Sequence, residues 1–122
     1  MGKKEINGLS QSILESISTQ ILEVSKNIDE DIQKAAELLI NHSGKIVVCG
    51  LGKSGLIGQK IVATLCSTGT RSVYMHAAEA IHGDLGIYNP GDPTILISKS
   101  GNTEAVSYTH LRAHETSLHL VC

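Results

Sequence analysis

Lys45-Ile46-Val47-Val48-Cys49-Gly50-Leu51-Gly52-Lys53-Ser54-Gly55 decides the fold. Residues 45–49 form an apolar run of strand length. The glycines that follow mark a turn, and residues 54–67 read as a helix. Strand, glycine-rich turn and helix make a phosphate cradle. Glycine lets backbone approach a ligand closely, and the free N–H groups at the positive end of the next helix favour an anion. Lys53 and Ser54 add a cation and a hydroxyl to a turn where a dinucleotide site relies on backbone.

Downstream, the pattern alternates. Residues 72–76 (Ser-Val-Tyr-Met-His) read as a second strand and residues 77–81 as a short helical stretch. Asn89-Pro90-Gly91-Asp92-Pro93 is strong turn chemistry, and residues 94–98 read as a third strand. Strands alternating with helices predict an α/β fold built from parallel βαβ units. Ligands in such sheets bind beyond the carboxyl ends of the strands. The Gly50 loop, His76 and residues 98–103 are all expected at that edge. Upstream, Ile6, Leu9, Ile13, Ile17, Ile21, Val24 and Ile28 recur at helical steps and predict an amphipathic helix over about residues 8–26. A second helix follows, capped by Asn27 or Asp29 and stopped near Gly44. Scaffold or oligomer contact is the expected role of both.

Composition narrows the function. A chain of 122 residues accommodates one modest core. The net charge of −2, with Lys and Arg scattered, gives no electrostatic case for nucleic acid or an acidic membrane. No apolar run is long enough to span a bilayer, and residues 1–5 lack the apolar core of a signal peptide. Cys49, Cys66 and Cys122 form no spaced pair, which fits a reducing cytoplasm.

Gly50, Gly52 and Gly55 satisfy G-x-G-x-x-G, so a nicotinamide site must be weighed. That site wants an acid at the end of the second strand, where this chain has Met75-His76. A Walker loop fails because Val47 stands where its first glycine belongs. Ser98-Lys99-Ser100-Gly101-Asn102-Thr103 is a second candidate cradle, with hydroxyls around a glycine at an expected helix start. His76 and His82 bracket Ala77-Ala78-Glu79-Ala80-Ile81 and are suited to moving protons near neutral pH.

These motifs, with Ser67-Thr68-Gly69-Thr70 and His82-Gly83-Asp84-Leu85-Gly86, resemble the arabinose-5-phosphate isomerases, a family of sugar isomerase (SIS) domain enzymes. The resemblance covers about residues 5–105. It implies an incomplete three-layer, parallel-sheet sandwich of flavodoxin-like type behind N-terminal helices. It also implies interconversion of D-ribulose 5-phosphate and D-arabinose 5-phosphate through a cis-enediol(ate), feeding synthesis of the lipopolysaccharide sugar Kdo. Lys53 would be catalytic, with His82 catalytic and substrate-contacting. Gly52, Ser54, Gly69, Thr70, Ser98, Ser100, Gly101 and Thr103 would line or hold the sugar phosphate. No cofactor would be required, although His76 matches a position linked to zinc. The parent protein would be a homo-oligomer, a tetramer at full length. The family's catalytic carboxylate aligns with Ala105. The alternative from another class is a non-catalytic phosphosugar-sensing SIS domain.

Residues 107–122 hold half of the histidines and no clean periodicity. Val106 to Thr116 resembles translated sequencing-adapter read-through, so the native frame is expected to end near Glu104 or Ala105. The expected organisation is a helical segment over 1–44, a partial SIS domain over 45–106 and a non-native tail over 107–122. Little or no turnover is expected of such a chain. A zinc site at His110, His114 and His119 is the disfavoured alternative, since nothing else supplies a ligand set.

Overall fold

Ile46, Val47, Val48 and Cys49 form the buried centre of a parallel sheet, each at most 2% exposed. A strand buried on both faces needs this unbroken apolar run. The computed structural model describes residues 2–114 and 119–121, with side chains described over 2–83 and 86–109. Two compact units divide between Lys34 and Ala35.

The first unit holds helix α1 (Lys3–Lys26) and the start of α2 (Glu30–Ile40). The row of seven aliphatic residues on α1 and the turn after it is between 45% and 67% exposed. Asp29 accepts the Asp31 N–H at 3.1 Å and starts α2, as its cap position predicts. That helix ends at Ile40, before the expected stop at Gly44.

The second unit carries the sheet. Its strands are β1 (Ile46–Gly50), β2 (Ser72–His76), β3 (Thr94–Ile97) and β4 (His119–Val121), in the order β2-β1-β3-β4, all parallel. Helix α3 (Gly52–Ser67) connects β1 to β2. The short α4 (Ala77–His82) and a 3-10 turn (Asp84–Ile87) lead toward β3, and α5 (Glu104–His114) follows β3. Alternate strand residues face opposite sides of a sheet. Val47, Cys49, Met75 and Leu96 share one core cluster with Ala77 and Ala80 of α4 and Val106 of α5. On the other face α3 lies close over the sheet. A Cβ on Gly58 would stand 3.2 Å from the Tyr74 ring and 3.3 Å from Val48 Cγ1, so a side chain there would require both neighbours to give by a few tenths of an ångström. The result is helices on both faces of a parallel sheet, the expected architecture.

Two features exceed the sequence reading. Helix α5 runs into the stretch without clean periodicity and buries Val106 and Thr109. Strand β4 then adds a fourth member to the sheet. The side chains of His110, His114 and His119 lie outside the described residues.

At the edge where the strands begin, Asp92 is fully buried. It accepts the Lys45 N–H at 3.0 Å and the Asn89 N–H at 2.8 Å, and it pairs with the Lys45 ammonium. Burial pushes its carboxyl up. The Lys45 ammonium, the two N–H donors and the Lys45 charge outweigh that, and the pKa falls below 3.8. This clamp ties the turn before β3 to the start of β1.

Candidate functional site

The chain leaves β1 at Gly50 and β3 at Ile97, and these two residues are register partners. Two loops therefore emerge side by side. From β1 the chain crosses to β2 on one side, while β3 lies on the other. Such a reversal opens a crevice between neighbouring strand ends, where ligands of α/β sheets bind.

A cavity of about 440 Å³ occupies this position. Leu51 and Ser54 line it from the first loop, and Ser98, Lys99, Ser100 and Thr103 from the second; Ile97 and Val106 complete its wall. The structure thus brings Ser54, Ser98, Ser100 and Thr103 to one hollow. Gly52 (φ 58°) and Gly101 (φ 70°) make the turns of the two loops. Both adopt left-handed backbone that a side chain would strain.

The second loop is organised by its own hydroxyls. Ser98 Oγ accepts the Gly101 N–H at 3.1 Å, and Ser100 Oγ accepts the Asn102 N–H at 3.3 Å. Ser98 Oγ and Thr103 Oγ1 are 3.4 Å apart. Helix α3 starts at Gly52 and α5 at Glu104, so two helices begin at this edge. Hydroxyls, turn amides and two positive helix ends suit an anion with several acceptor oxygens. The thiol of Cys49, one residue before the first turn, is pushed up to about 11 by burial, partly offset by a hydrogen bond with Thr109. It stays protonated and is no nucleophile.

Other expected residues stand elsewhere. Lys53 is exposed in the first turn of α3, between Leu51 and Ser54 in sequence but not among the lining residues. His76 ends β2 opposite Gly50, with β1 between it and the serine loop. Its Nδ1 accepts the Ala78 N–H at 3.3 Å and caps α4. His82 is exposed at the last position of α4. Gly69 and Thr70 are not brought to the cavity. The 16-residue α3 carries the chain about 24 Å back along the sheet, so the turn after it lies at the edge where strands begin. Among the described residues no three His, Cys, Asp or Glu side chains cluster to hold a metal. Lys99, Leu51, Ile97 and Val106 were not singled out by sequence. Lys99 had a legible signal, as a cation between two hydroxyl residues in a glycine turn.

Residues 39–116 match the SIS domain family. Over 102 residues the chain is 44% identical to the arabinose 5-phosphate isomerase KpsF of Escherichia coli O6:H1, covering 83% of this chain and 31% of that protein. It is 49% identical over 79 residues to the arabinose 5-phosphate isomerase KdsD of Pseudomonas aeruginosa, covering 65% of this chain and 24% of the relative. The chain therefore spans about a third or less of the length of these relatives. Among solved structures, that of the E. coli CFT073 protein c3406 in complex with a sugar-phosphate ligand is similar with a TM-score of 0.88 and 31% identity, over 99% of this chain and 66% of that one. No described helix is long and apolar enough to cross a membrane.

Proposed function

The chain belongs to the SIS domain family, and from that premise we propose that its cavity holds the phosphoryl end of an open-chain sugar phosphate in an aldose–ketose isomerase. The carrying observation is the shared hollow, in which Ser54 of one loop and Ser98, Ser100 and Thr103 of the other line a single cavity. The relatives named arabinose 5-phosphate isomerase support arabinose 5-phosphate and ribulose 5-phosphate as the substrate pair. In the cell this conversion would feed Kdo and lipopolysaccharide synthesis.

The reaction is redox-neutral. A base takes the proton from C1 of the ketose, and negative charge develops on the C2 oxygen. The cis-enediol(ate) is then protonated at C2 while the O1 proton passes to O2, so the aldose forms with no net gain or loss of protons. Lys53, beside the cavity-lining Ser54, is the cation available to stabilise the developing oxyanion. His82 is assigned to proton transfer in ring opening, which requires α4 and the loop to meet across the bound sugar.

A homo-oligomer is part of this reading. Gly69 and Thr70 stand at the far edge of the sheet, so if they contact substrate they do so from another copy. The exposed apolar row of α1 is a surface for such assembly. Sedimentation that finds only monomer at working concentration would contradict it.

The enzymatic test is conversion of ribulose 5-phosphate to arabinose 5-phosphate without added cofactor, followed by chromatography. The full-length protein is expected to form arabinose 5-phosphate. Substrate binding without product would replace this reading with a phosphosugar sensor. Ala105, half-buried in the first turn of α5 where relatives of this type are expected to carry a carboxylate, favours weak turnover by the chain as it stands.

A further inference from the structure

Of the residues lining the cavity, one carries a formal charge, Lys99. The others offer hydroxyls or apolar surface. A phosphate monoester brings roughly −1.5 to −2 charges at neutral pH. Each helix start contributes only about half a positive charge. The hydroxyls of Ser98 and Ser100 already accept amide hydrogens from Gly101 and Asn102, so the loop is ordered before any ligand arrives. What it lacks is compensating charge.

Lys99 sits between those two serines, exposed, and among the described residues it makes no hydrogen bond or ion pair. Lys26, Lys34 and Lys45 each have a carboxylate partner, whereas Lys3, Lys4, Lys53 and Lys60 share the open state of Lys99; what sets Lys99 apart is its place in the cavity lining. No ion pair among the described residues competes with an anion for its ammonium. Lys53 lies outside the lining and is already assigned to the oxyanion.

We propose that Lys99 is a phosphate-binding residue of this site, supplying its charge compensation and setting its preference for phosphorylated over unphosphorylated sugar. The inference rests on the cavity being a sugar-phosphate site. Because Lys99 is exposed, its effect is screened by salt. Affinity for the sugar phosphate should fall as ionic strength rises, and this dependence should belong largely to Lys99.

Calorimetric titration of the chain with arabinose 5-phosphate and with arabinose, at low and high salt, tests it. Lys99→Gln is expected to weaken arabinose 5-phosphate binding roughly tenfold at low salt, with the gap closing at high salt. Lys99→Arg should restore most of the affinity, and binding of arabinose should not change. Wild-type affinity and salt dependence in Lys99→Gln, with Ser100→Ala still impaired, would overturn the proposal and leave the site reading standing. Absence of arabinose 5-phosphate binding in every form, wild type included, would overturn both.

Discussion

Lys53 occupies a position that local electrostatics disfavours. A cation in the first turn of a helix opposes the macrodipole by about 0.3–1 kcal/mol. It is exposed in the first turn of α3, so packing does not explain it. The oxyanion role proposed for Lys53 would account for it. Lys53→Ala is therefore expected to leave thermal stability unchanged or slightly raised, within about 0.5 kcal/mol, while lowering turnover of the full-length enzyme on the order of 100-fold. A matched loss of stability and activity would assign Lys53 to the scaffold, and an unchanged kcat would remove it from the reaction. Residue chemistry of this kind was legible in the sequence. The glycine, serine and lysine types predict an anion site from sequence alone, and the structure brings Ser54, Ser98, Ser100 and Thr103 to one hollow. Their sorting was not legible. Gly69 and Thr70 read as neighbours of the cavity from resemblance alone, and only the direction of α3 sends them to the opposite edge.

Among the elements, strands and helices with strong patterns emerged near their expected bounds. Strand β2 spans Ser72–His76 as read, and β1 is shifted by one residue at each end. Helix α5 was the harder case. Its start after the serine loop was expected, but Val106 and Thr109 are buried by tertiary packing that the linear pattern does not encode. The Asp92 clamp belongs to this scale too, because it joins the turn before β3 to the start of β1. Its carboxyl pKa is lowered in the folded state. The stabilisation is therefore complete above the ordinary carboxylate range and is lost as pH falls through the lower folded value. Asp92→Ala should cost roughly 3 kcal/mol at pH 7, read as a lower denaturant midpoint. The deficit relative to wild type should shrink as the pH is taken below about 4. A deficit independent of pH would mean that the ion pair is not what Asp92 contributes.

At the scale of the whole molecule, the proposed function depends on two loops that are more than forty residues apart in sequence and become neighbours because β1 and β3 pair in parallel. The sheet order makes Gly50 and Ile97 register partners, and the cavity follows from that pairing. Amide chemical shifts of the chain titrated with arabinose 5-phosphate measure this directly. Residues 52–54 and residues 100–102 should shift together, with one dissociation constant, and an equal concentration of arabinose should move them far less. Shifts confined to one loop, or centred away from both, would contradict a shared phosphate cradle.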